Sequence, residues 1–182
     1  MHINQHWLTD TTQIFSPNFD ERSDPADISL LVIHCISLPP GEFNNSNIDQ
    51  LFCNKLNPDE HSYFKEIYQH KVSAHLLIKR DGCCVQYVGF DKRAWHAGKS
   101  SYQGRERCND FSIGIELEGT ESIAYTGAQY LQLAAVIDTL LKTYPGLSPQ
   151  RIAGHSDIAP GRKTDPGASF DWQRLFSLLK KP

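Results

Sequence analysis

Leu30-Leu31-Val32-Ile33-His34 is an unbroken apolar run that stops at a histidine. Four aliphatic residues without alternation read as a central strand buried on both faces, with His34 at its end. Pro39-Pro40-Gly41 then forces a turn, and Glu42–Asn47 reads as a flexible loop. Upstream, Ser16–Ser29 carries Pro17, Pro25 and several acids and reads as an ordered surface connection.

Outward from that strand, the pattern predicts short helices at about 48–56 and 59–70, with Asp59 capping the second. Val72–Lys79 and Cys84–Val88, joined at Asp81-Gly82, read as a β-hairpin. In Phe111–Glu118 the apolar residues alternate, which places Glu116 and Glu118 together on the opposite face. Tyr130, Leu133, Ala134, Ile137, Leu140, Leu141 and Tyr144 form an i, i+3, i+4 stripe. Thr126 and Gln129 cap that helix as a box, and Pro145-Gly146 ends it. Arg151–Gly154 reads as a short strand and Asp171–Lys180 as a last amphipathic helix. The expectation is an α/β (mixed α+β) fold: a central mixed β-sheet flanked by helices. With 182 residues and no repeat or linker, a single domain is expected, its core at about 28–180 with residues 1–27 packed on it.

Composition narrows the function. The net charge is -3, so no basic field marks the chain for nucleic acid or an anionic membrane. Its apolar runs are far too short to span a bilayer. The start, Met1-His2-Ile3-Asn4-Gln5-His6-Trp7, lacks the features of a secretory signal, from which a cytoplasmic location is expected. Five cysteines without a C-x-x-C pair read as reduced thiols.

The chemistry concentrates in Gly154-His155-Ser156-Asp157 and Lys163-Thr164-Asp165-Pro166-Gly167. His155 and Asp165 suit a hydrolytic zinc, and Lys163 beside them suits a developing negative charge. His34 would complete two imidazoles and a carboxylate, although a lone histidine ending an apolar strand is more often structural. His75 reads as a core residue or a support for the site. Trp95-His96-Ala97-Gly98 sets an aromatic face beside a glycine that permits close approach. His2, His6, His61 and His70 show no partner and read as surface residues.

Ile33-His34 with Ser37-Leu38-Pro39-Pro40-Gly41, Val72-Ser73-Ala74-His75, Ala94-Trp95-His96-Ala97-Gly98, Ser112-Ile113-Gly114-Ile115-Glu116 and the two segments of the 154–167 loop occur in order. Together, over roughly residues 7–176, they resemble the zinc-dependent N-acetylmuramoyl-L-alanine amidases, and among these the cytoplasmic branch acting on anhydro-muropeptides. The resemblance implies the sheet-and-helix fold also found in peptidoglycan recognition proteins. It implies Zn2+ held by His34, His155 and Asp165, Glu116 as general acid/base and Lys163 on the carbonyl oxygen. The implied reaction cuts the amide between the lactyl group of 1,6-anhydro-N-acetylmuramic acid and L-alanine in peptidoglycan recycling, with an indirect effect on β-lactamase induction. The implied partner is that small molecule alone, with a monomeric protein. Trp95, His96 and Arg107 are expected at the substrate, Arg107 on a diaminopimelate carboxylate. Cys35 and Lys71 stand where relatives typically carry asparagine and arginine, which bears on specificity. Competing readings are an endolysin-like amidase, a non-catalytic peptidoglycan-binding module and a cysteine hydrolase.

Overall fold

The computed structural model describes residues 1–179. At its centre lies a six-stranded sheet in the order Ile152–Gly154, Leu30–Ile36, Ser112–Glu118, Leu76–Ile78, Cys84–Gln86, Thr12–Gln13. The first four strands run parallel, Leu76–Ile78 and Cys84–Gln86 form an antiparallel hairpin, and Thr12–Gln13 lies parallel to Cys84–Gln86. The mixed sheet and its flanking helices are those expected from the sequence.

Leu30, Leu31, Val32 and Ile33 are all fully buried, as a two-faced central strand requires. Leu31 and Ile33, with Ile113, Ile115 and Leu117, pack against the long helix Gly127–Thr143 and against Leu175 of Trp172–Leu179. Leu30 and Val32 point the other way, into a layer with Phe111, Ala153 and Ile158. Strand alternation therefore puts His34, Gly114 and Glu116 on the face opposite the long helix. The long helix begins as predicted: Thr126 Oγ1 accepts the Gln129 N–H (3.1 Å) and Gln129 Oε1 accepts the Thr126 N–H (3.1 Å). Lys180, the predicted end of the last helix, lies outside the described residues.

Several expectations are corrected. The Leu30 strand does not end at His34; it pairs in register as far as Ile36↔Glu118. The apolar run breaks at His34 because that face of the sheet becomes polar there. The two short helices are only Asn47–Phe52 and Phe64–Ile67. Asn54, at φ 58°, terminates the first: the Lys55 N–H reaches Gln50 O (2.7 Å) and the Asn54 N–H reaches Leu51 O (3.0 Å), the two bonds of a Schellman closure. Asp59 caps nothing; Asn57 Oδ1 accepts its N–H (3.1 Å), and this local turn competes with helix. The Ser16–Ser29 segment runs largely over the surface, as expected, but it is more than a connection. Phe19–Glu21 pairs with Lys92–Ala94, and Ser16, Asn18 and Arg22 are buried, with Ser16 Oγ, Asn18 Nδ2 and Arg22 Nη2 donating to backbone carbonyls. His6 does have a partner, the Tyr144 hydroxyl at 2.9 Å from Nδ1.

Candidate active site

The sheet register assembles the site. Glu116 pairs with His34 on neighbouring parallel strands, and Gly154 pairs with Ile33 on the other side. His155 follows Gly154 directly, so His34 stands between Glu116 and His155. The Gly154 N–H bonds to Asp157 Oδ2 (2.7 Å), which starts the single helical turn His155–Ile158. Downstream, the Ser156 N–H bonds to Asp165 O (2.9 Å), which folds the loop back and returns Asp165 to the two histidines.

His34 Nδ1 and His155 Nδ1 are 3.0 Å apart, and each lies 3.1 Å from Asp165 Oδ2. Ligands on a tetrahedral zinc with bonds of about 2.0–2.1 Å would stand about 3.3 Å apart, so this triangle fits such an ion. His155 Nε2 lies 3.1 Å from the Ala97 carbonyl, which can only accept, and 3.4 Å from Arg162 Nη2; the tautomer protonated at Nε2 answers the shorter contact and leaves the Nδ1 lone pair bare. Burial brings His34 down to about 4, so its ring is neutral at neutral pH, as a metal ligand must be. All three residues are buried.

The two strand carboxylates separate by environment. Glu118 is satisfied: Oε1 accepts the Asn44 N–H (2.7 Å) and Oε2 the Arg80 N–H (3.0 Å). Glu116 Oε2 is buried with no hydrogen-bond partner. Burial, reinforced by the Asp165 charge, raises Glu116 well above the ordinary carboxylate value, and Lys163 partly opposes this. An unspent, proton-seeking carboxylate beside three converging donors is the arrangement that general acid/base chemistry needs. Lys163 is exposed on the cleft wall, and Asp157, upstream of it in the same loop, is engaged with Gly154.

The cleft, about 540 Å³, is lined on its apolar side by Leu38, Tyr63, Ile67 and Trp95, and also by Cys35. Burial pushes the Cys35 thiol up to about 12, so it is protonated at neutral pH and no nucleophile. His96 is half-buried at the cleft floor, with His34 Nε2 at 2.9 Å from its Nδ1 and Ser112 Oγ at 3.2 Å from its Nε2. His75 is buried in the core, accepting the Gly114 N–H at Nδ1 (3.0 Å). Lys71 is exposed between His70 and Val72, which line the cleft while Lys71 itself does not. Arg107 is also absent from the cleft; it pairs with Asp110 (3.0 Å) beside a second hollow of about 560 Å³.

Arg162, exposed at the edge of the cleft, clamps a loop: Nη2 donates to Ala97 O (2.6 Å) and Lys99 O (2.7 Å). Arg22 and Asn109 also support the site and gave no sequence signal, because neither lies in a periodic or clustered pattern; Ser112, the first residue of the quoted Ser112–Glu116 segment, supports it too. Gly114 is required by close approach, since a Cβ there would lie 2.4 Å from the His96 ring. Gly114→Ala is expected to cost about 1–3 kcal/mol of stability, read as a lowered denaturant midpoint with unchanged slope.

Residues 24–168 match the family model described as N-acetylmuramoyl-L-alanine amidase. The 1,6-anhydro-N-acetylmuramyl-L-alanine amidase AmpD of Escherichia coli (strain K12) is 58% identical over 181 residues, which cover 100% of this chain and 98% of that one. The crystal structure of a selenomethionine AmpD derivative superposes with a TM-score of 0.96 at 58% identity, covering 98% of this chain and 99% of that one. The E. coli amidase AmiD, in complex with the substrate anhydro-N-acetylmuramic acid-L-Ala-D-γ-Glu-L-Lys, superposes with a TM-score of 0.60 at 28% identity, covering 97% of this chain and 65% of that one.

Proposed function

The chain belongs to the N-acetylmuramoyl-L-alanine amidase family, and on that premise we propose that it hydrolyses the amide joining the lactyl group of 1,6-anhydro-N-acetylmuramic acid to L-alanine of a muropeptide stem. The observation that carries this reading is the buried, unpartnered Glu116 oxygen beside the His34, His155 and Asp165 donors. These three residues would hold Zn2+, whose charge polarises an amide carbonyl and makes water nucleophilic near neutral pH. Glu116 takes the proton from the attacking water and delivers it to the departing alanine nitrogen. Lys163, at the cleft wall, meets the charge that develops on the carbonyl oxygen. Trp95 and Tyr63 offer aromatic faces to the sugar and stem.

Among the described residues no helix is long and apolar enough to cross a membrane. The five cysteines are unpaired, which suits the reducing cytoplasm that a role in muropeptide recycling requires.

Mass spectrometry of products tests the reading, with zinc-loaded protein incubated separately with anhydro-muropeptide and with intact murein. Release of free stem peptide from the anhydro-muropeptide is the expected result. Cleavage of murein alone would overturn it in favour of an endolysin-like activity.

A further inference from the structure

We infer that His96 is a positioning residue of the metal centre: its Nδ1 accepts the Nε2–H of His34, which leaves His34 Nδ1 bare and aimed at the point shared with His155 and Asp165. The inference rests on the reading of His34 as a metal ligand. His34 Nε2 and His96 Nδ1 are 2.9 Å apart, and the rings meet edge to face at 5.0 Å between centroids. His96 Nε2 lies 3.2 Å from Ser112 Oγ, so a proton on Nε2 has a ready acceptor and Nδ1 remains the accepting nitrogen.

The segment carrying His96 is held from several directions. The N–H groups of His96 and Ala97 both donate to Asn109 Oδ1, at 3.2 and 2.8 Å. Arg22, buried and without a carboxylate partner in hydrogen-bond reach, donates to the carbonyls of Asn109 (3.1 Å), Asp110 (3.1 Å) and Ser112 (2.7 Å). It thereby fixes the strand entry that supplies both Asn109 and Ser112. Gly114 leaves room for the His96 ring. Residues 96 and 97 thus serve both ligand histidines, His34 through the His96 ring and His155 through the Ala97 carbonyl. Metal-bound histidines commonly carry such a partner on their other nitrogen, and losing it typically costs about 10–100-fold in metal affinity. A neutral imidazole in that place, unlike a carboxylate, leaves the charge of the metal undiminished.

The test is zinc affinity of the purified full chain by chelator competition, with the visible spectrum of the cobalt-substituted protein as a second readout. His96→Phe fills the space without accepting a hydrogen bond, and His96→Gln restores an accepting oxygen. Expected are a loss of about 10–100-fold and a shifted cobalt spectrum for His96→Phe, with much of the affinity recovered in His96→Gln. Should His96→Phe fail to fold, His96→Ala carries the same comparison. Wild-type affinity and an unshifted spectrum in the acceptor-free variant, alongside lost zinc in His34→Ala, would overturn the inference alone. Retained zinc in His34→Ala would overturn the ligand reading beneath it.

Discussion

Replacing Glu116 with glutamine is expected to leave zinc affinity near wild type and to lower kcat by about 10²–10⁴-fold. The shape of the side chain persists, but its capacity to take and return a proton is lost. Glu116 is not among the three converging donors, so metal content has no reason to change. Its Oε2 holds no hydrogen bond that the substitution would break. A buried carboxylate without a partner costs folding free energy, so the metal-free variant should be at least as stable as the wild type. Parallel measurement of zinc stoichiometry, kcat and thermal midpoint separates these effects. A kcat within a few-fold of wild type would remove Glu116 from the proton-transfer role, whereas lost zinc would make it a ligand.

Asp165→Ala is expected to fail differently, losing metal and turnover together. Asp165 Oδ2 is the only carboxylate oxygen in the donor triangle, 3.1 Å from each histidine nitrogen. Without it two imidazoles remain, and zinc affinity should fall by more than about 100-fold, beyond the loss typical of a supporting partner. The backbone bond from the Ser156 N–H to Asp165 O survives the change, so the loop should keep its course. Chelator competition checks the affinity, and assay at saturating zinc checks turnover. A variant that binds zinc as tightly as wild type would show that the carboxylate is not a ligand. The two substitutions form a pair: one empties the site of its metal and the other leaves a loaded but silent centre.

Much of the frame was legible because its causes are local. Leu30–Ile33 carries no alternation, and both of its faces are buried. Thr126 and Gln129 form their capping box from residues three apart. The alternation of Ile113, Ile115 and Leu117 sent Glu116 to the cleft face, but it sent Glu118 there as well. Only the tertiary contacts of Glu118 with the Asn44 and Arg80 N–H groups distinguish them. The helix ends near Asn54 were misread because a left-handed asparagine leaves no periodic trace. Arg22 was hidden in a polar, proline-bearing stretch, and its role depends on carbonyls some 90 residues away, such as that of Ser112. The placement of Lys71 and Arg107 outside the cleft depends on loop paths that spacing does not determine.

The pairing of Glu116 with His34 on one rung has a consequence for how the chain folds correctly. Side chains on a strand change faces with every residue, so a one-residue slip of Ser112–Glu118 would turn Glu116 toward the long helix and expose Leu117 in the cleft. Such a slip would bury an ionisable group among Ile33, Leu133 and Ile137 while removing apolar packing from the same layer. The Glu116 carboxylate therefore also acts as an alignment mark, penalising misthreaded sheets as the chain folds.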